Sequence, residues 1–320
     1  MIAATGAYLP SKIVRNEDLI QFPANAIPII AAKTGVLERR YAADDECTSD
    51  LAILAARQCL ERSGVAATEI DGIVLSTSSP DRIQPATATR VQNGLGARQA
   101  FAFDVNAVCS GAIYALQIGD SFIRSGLCRR VLVIAAEVYS RFLNPRDFST
   151  YPYFGDGAGA LLLTSADRPG ILASVLRTDG SGADAIQIPA GGSMRPAPKV
   201  SRPEEFYFAM QGKEVFGFAV QRGAEVISEV LREAGQCLDS VRALIPHQAN
   251  KYIIRAIADT LGIAPERFII NLDRYGNTAS ASVLIALDEA LECKKISSGD
   301  LAVLVAFGGG LSWAASLVQF

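Results

Sequence analysis

What most restricts the fold of this chain is that it repeats itself. LERSG at 60–64 and LREAG at 231–235 each close an amphipathic helical pattern, 171 residues apart. The strand patterns that follow keep this register, with Ile73 and Val74 corresponding to Leu244 and Ile245. Farther on, VLVIAAE at 131–137 and VLVAFGG at 303–309 are apolar runs of the buried-strand kind, 172 apart, and Ser-Gly precedes both. Between these markers, FAFDVNAVCSGAIYALQIGDSFI and FIINLDRYGNTASASVLIALDEAL each read as a strand, a turn of small residues and a helix. Strands alternating with helices predict an α/β protein, and near-continuous apolar strands predict mixed sheets covered on both faces. Two similar halves, 1–170 and 171–320, are expected to pack together. Residues 178–206, rich in proline and glycine, read as the long connection.

With half of its 320 residues apolar, the chain can bury a large core. A net charge of -3 and no Lys/Arg cluster argue against a nucleic-acid partner. The longest apolar runs fall far short of a membrane span, and IAATGAYLP after Met1 has neither the basic nor the apolar stretch of a secretory signal. A cytoplasmic location is the expectation. The six cysteines, Cys47, Cys59, Cys109, Cys128, Cys237 and Cys293, show no CxxC spacing, which argues for free thiols and against a metal site.

Three residues stand where chemistry could occur. Cys109 lies in DVNAVCSGAIYALQ, where an apolar strand ends and a helical pattern begins. A sulfur at a helix N-terminus meets unsatisfied N–H groups and the positive end of the macrodipole, which favour thiolate; buried packing is the bland alternative. His247, the only histidine, follows a buried-strand pattern in IPHQAN and should emerge at a strand end, while its equivalent in the first half is Ser76. Asn277 lies in DRYGNTASAS, the second-half counterpart of the Cys109 turn; a plain turn or cap role is open to it as well. The duplication should bring these three together. GDGAGA at 155–160 mimics a dinucleotide loop, but a strand pattern follows it, so it reads as a tight turn. FGGGLSW at 307–313 reads as a hairpin whose glycines could aim an N–H at a developing oxyanion.

Taken together, AVCSGAIYAL, IPHQAN, DRYGNTASAS, FGDGAGA and AFGGGLSW resemble, in order, the ketoacyl-ACP synthase III family of the thiolase superfamily. The resemblance runs from TGAYLPSKIVRNEDL to the closing SLVQF, and it implies a duplicated αβαβα architecture with two mixed sheets. It also implies that Cys109 is acylated, that the N–H groups of Cys109 and Gly309 form the oxyanion hole, and that His247 and Asn277 hold the second thioester. Phe307 would line the decarboxylation site. The implied reaction is a decarboxylative condensation of an acyl-CoA or acyl-carrier donor with a malonyl-type thioester, without metal or redox cofactor, in a homodimer. Departures from the family pattern point to a specialised enzyme of secondary metabolism, with either a dedicated carrier protein or an acyl donor held chiefly through its pantetheine and acyl portions. Ile29 and Phe148 stand where a Trp and an Arg hold adenine, although Lys33 matches a position used for CoA phosphates. Gln84 replaces an aromatic residue of the acyl pocket, and Gly217, Tyr252, Asp259 and Thr260 replace a basic carrier-docking patch. Acyl transfer to oxygen or nitrogen without decarboxylation, or a non-catalytic partner subunit, are the rival expectations.

Overall fold

The computed structural model describes residues 1–166 and 170–320. In chain order the first half holds β1 (Ile2–Tyr8), β2 (Lys12–Arg15), α1 (Ile27–Thr34), β3 (Glu38–Tyr41), α2 (Thr48–Ser63), β4 (Gly72–Ser76) and α3 (Thr87–Leu95). It continues through β5 (Phe101–Val105), α4 (Gly111–Arg124), β6 (Arg130–Glu137) and β7 (Gly157–Thr164). The rest holds β8 (Ile171–Thr178), β9 (Ile186–Gln187), β10 (Ala209–Met210), α5 (Gly212–Glu233), β11 (Val241–Pro246) and α6 (Lys251–Leu261). Then come α7 (Leu272–Tyr275), α8 (Ala281–Glu292), β12 (Leu301–Gly308) and β13 (Ser312–Gln319).

Two mixed sheets result, ordered β1-β7-β6-β4-β5 and β11-β12-β13-β8. In the first, two parallel pairings (β4 with β5 and with β6) adjoin two antiparallel ones, and in the second one parallel pairing (β11 with β12) adjoins two antiparallel ones. Burial follows from the two-residue period of the strands. On β6, Val131 and Val133 face inward onto Ile113 and Leu116 of α4 and Leu284 and Leu287 of α8. Leu132 and Ile134 face outward onto Leu51 and Ala55 of α2 and Val91 of α3. The outer face of the second sheet, with Leu244, Val303 and Leu317, is covered by Val226 and Ile227 of α5 and Ile254 and Ile257 of α6. Five layers follow, αβαβα, with α4 and α8 sharing the middle one. No helix among the described residues is long and apolar enough to cross a membrane.

Two expectations are corrected. The second half lacks a counterpart of β5: Leu272–Tyr275 is a single helical turn, and only an isolated bridge joins Phe268 to Leu244. A side chain replaces the missing ladder, since the Gln248 amide donates to the carbonyls of Pro246 (2.7 Å) and Ile269 (3.1 Å) and accepts the Asn271 N–H (3.0 Å). In GDGAGA the turn ends early, and β7 begins at Gly157. Its glycines admit α8: a Cβ on Gly159 would lie 2.5 Å from the Leu284 Cβ. FGGGLSW does form the hairpin between β12 and β13.

Candidate active site

Both halves make the same strained turn before their central helices. Val108 (φ 47°) and Ala279 (φ 44°) lie 171 residues apart, each in the left-handed region that a residue with a Cβ avoids. In each turn an asparagine two residues earlier caps the strained residue. Asn106 Oδ1 accepts the Val108 N–H (3.2 Å), and Asn277 Oδ1 accepts the Ala279 N–H (2.9 Å). Asn277 is therefore a turn former as well as a candidate site residue. With its oxygen committed, its amide nitrogen makes no protein hydrogen bond among the described residues and can donate elsewhere. The turns correspond as the sequence suggests, but the register pairs Asn277 with Asn106, and Cys109 with Ser280.

The turn sets Cys109 in a short 3₁₀ segment, Val108–Ser110, immediately before α4. Expectation and structure differ over its charge. Burial, reinforced by the carboxylate of Glu137, pushes the Cys109 thiol up to about 12, against the weaker pull of hydrogen bonds from the N–H groups of Cys109 and Gly309. Desolvation thus outweighs the helix terminus, because the thiol is only 7% exposed. The β12–β13 hairpin presses on this residue: a Cβ on Gly308 would lie 2.6 Å from the Cys109 Cβ and 3.0 Å from its sulfur.

Glu137, at the end of β6, is fully buried. Its carboxylate accepts from the hydroxyls of Ser280 and Ser79 (2.6 Å each) and from the N–H (3.1 Å) and hydroxyl (3.1 Å) of Ser78. Burial raises its pKa while these donors oppose the rise. The Tyr139 hydroxyl completes the network at Ser78 (2.9 Å). One carboxylate thereby ties the loop after β4 to the turn that carries Asn277.

His247 follows β11, held by its N–H to the Val305 carbonyl (2.8 Å). Its Nδ1 lies 2.7 Å from Ser282 Oγ, and its ring stands edge-on to Phe307 with centroids 5.7 Å apart. Burial pulls its pKa down to about 3, opposed by a hydrogen bond with the Ala279 backbone, so the ring is neutral at ordinary pH. Beside the Cys109 turn, Ser78, Asn106, Val108, Tyr139, Ile186 and Phe208 line a cavity of about 210 Å³.

Cys109, His247, Asn277, Phe307 and Gly309 thus come together through a chain of contacts, as the sequence suggests. Ile29, Lys33, Phe148 and Gln84 lie apart from this cluster. Ile29 and Lys33 are exposed on α1, which α6 grips through Asn250 Nδ2 to the Lys33 carbonyl (3.0 Å) and the Tyr252 hydroxyl to the Ala32 carbonyl (2.6 Å). Phe148 packs against Phe22 (5.1 Å), and Gln84 is exposed on the loop before α3. Gly217, Tyr252, Asp259 and Thr260 are exposed and uncharged or acidic, but Lys251 lies over the Tyr252 ring (5.1 Å) and Lys213 is near Gly217. Sequence reasoning missed Glu137, Gly308 and Ser282. The repeat register carried a signal for Ser282, because it pairs that residue with Gly111 as it pairs His247 with Ser76.

Two family models match the chain: 3-oxoacyl-[acyl-carrier-protein (ACP)] synthase III over residues 103–180, and the C-terminal model of the same family over 231–320. A beta-ketoacyl-[acyl-carrier-protein] synthase III of Roseiflexus sp. (strain RS-1) is 44% identical, covering 98% of this chain and 96% of its own. The solved 3-oxoacyl-[acyl-carrier-protein] synthase III of Aquifex aeolicus VF5 superposes with a TM-score of 0.92 at 40% identity, over 100% and 99% of the two chains. A priming beta-ketosynthase of the R1128 polyketide pathway gives 0.91 at 33%, over 100% and 95%. With both family models matched and relatives of this similarity over the whole chain, this protein belongs to the 3-oxoacyl-[acyl-carrier-protein] synthase III family.

Proposed function

We propose that Cys109, His247 and Asn277 divide the decarboxylative Claisen condensation of this acyltransferase family between them. The half spanning 1–170 supplies the nucleophile and the half spanning 171–320 the two donors. Cys109 attacks a donor thioester, its proton leaves with the donor's thiol, and the acyl group stays on sulfur. The N–H groups of Cys109 and Gly309 stabilise the tetrahedral oxyanion. A malonyl-type thioester then loses CO2, and the enolate oxygen is held by His247 Nε2–H and the Asn277 amide. The enolate carbon attacks the acyl carbonyl, the Cys109 thiolate departs, and a 3-oxoacyl thioester is released.

The observation that carries this reading is a buried sulfur faced by the N–H groups of Cys109 and Gly309 and packed in one cluster with Ala279, the residue whose backbone meets both Asn277 and the neutral ring of His247. Cys109→Ala should abolish acyl-enzyme formation in intact-protein mass spectra. His247→Ala or Asn277→Ala should slow decarboxylation by ~10²-fold or more, the scale for one oxyanion donor, and leave acylation nearly intact. A His247 variant that fails to acylate would reassign the histidine as the base that activates sulfur. The exposed edge of β5 supports a homodimer. The changes at Ile29, Phe148 and the docking positions support a donor held mainly through its pantetheine and acyl portions.

A further inference from the structure

We propose that Ser282 sets the tautomer of His247, and is therefore a positioning residue for condensation. The proposal rests on the reading of His247 as a donor to the extender thioester, and it concerns which ring nitrogen bears the proton. A neutral imidazole has one N–H, and the nitrogen that carries it is decided by what the other nitrogen meets. Here Nδ1 meets Ser282 Oγ at 2.7 Å. That hydroxyl also receives the Gln248 N–H, at 3.3 Å. A backbone N–H can only donate, so it occupies a lone pair of Oγ. These are the two hydrogen bonds of this hydroxyl among the described residues, and the hydroxyl hydrogen falls to Nδ1. Nδ1 accepts, and the ring proton resides on Nε2.

The duplication supports a dedicated role. His247 and Ser282 lie 171 residues after Ser76 and Gly111. In both halves, the end of a central strand touches the first turn of a central helix. In the first half the approach is so close that a Cβ on Gly111 would lie 2.1 Å from Ser76 Oγ, and that hydroxyl has no hydrogen-bond partner among the described residues. The half that carries the donors has a histidine on the strand and a hydroxyl on the helix, joined by a hydrogen bond. One contact of the ancestral repeat has thus become a hydrogen bond that orients an imidazole, much as second partners fix metal-binding histidines.

Because the chain has a single histidine, nitrogen-15 labelling of histidine reports His247 alone. The wild-type spectrum at neutral pH should show a neutral ring with Nε2 protonated and Nδ1 as acceptor. Ser282→Ala should move the ring toward the other tautomer or a mixture. It should also slow decarboxylation of a malonyl thioester about 10- to 100-fold, by analogy with the loss of the second partner of a metal-binding histidine, while Cys109 acylates at the wild-type rate. If the alanine variant fails to fold, Ser282→Cys keeps the volume with a much weaker donor and should shift both readouts in the same direction. A wild-type ring protonated on Nδ1 would overturn the proposal, as would a Ser282 variant with an unchanged spectrum. Equal loss of acylation and decarboxylation would overturn it too, as a general structural effect. The spectrum needs no turnover, so a failure of the donor role itself, seen in His247→Ala kinetics, is read separately.

Discussion

At Cys109 a helix terminus and two N–H groups pull toward thiolate while desolvation and Glu137 push toward thiol, and the push is larger. A sulfur this buried is shielded until a thioester arrives, and the same enclosure leaves no room behind it. Gly308→Ala should therefore place a methyl against the Cys109 side chain, lowering the acylation rate by at least about 10²-fold and stability by about 1–3 kcal/mol; stopped acylation assays and urea melts check both. His247 makes a second prediction. Its pKa falls from 6.5 to about 3, so between those values the unfolded chain binds a proton that the folded chain refuses. Stability from this group is complete above pH 6.5 and is lost on acidification, by roughly 2–3 kcal/mol at pH 4.5. His247→Gln should lose less stability than wild type between pH 7 and 4.5, and parallel losses in urea midpoints would count against a buried neutral ring. That the turns of Cys109 and Asn277 correspond and that His247 stands at a strand end was legible in the sequence, because repeat spacing and flanking motif point to it. The charge state of Cys109 was not, since desolvation depends on what covers the sulfur, and Gly308 and Glu137 come from strands far along the chain.

Among the elements, β12 and β13 were legible from apolar runs joined by glycines, and α4 and α8 from helical periods after small-residue turns. The missing strand of the second half was not legible: FIINL has strand character, yet Gln248 captures the backbone groups that a neighbouring strand would have used. This asymmetry bears on assembly. Among the described residues β5 pairs only with β4, and its other edge carries Phe101, 39% exposed and packed with Phe103 and Phe122. An apolar open edge favours pairing with a second copy of the same strand. Sedimentation at low micromolar concentration should give about twice the 33.9 kDa chain mass; an active monomer would refute the homodimer.

For the molecule as a whole, the proposed hold on the donor turns on the surface around α1 and α6. Ile29 offers no aromatic face and Phe148 no guanidinium for adenine, and Phe148 is already engaged with Phe22. Acylation rates for one acyl group on CoA and on pantetheine should therefore be nearly equal and change little with salt. A standard carrier protein tested alongside should gain little, and a strong preference for it that collapses with salt would show that Lys251, Lys213 and their neighbours form a working basic patch. By itself the sequence determined the α/β class and the motifs that single out Cys109, His247 and Asn277 as candidates, because periodicity, repeat spacing and short motifs are local properties that survive without coordinates. Only the tertiary structure decided the thiol's protonation, the partner of His247 and the close approach of Gly308. Each depends on burial and on distances between segments that no spacing along the chain can specify.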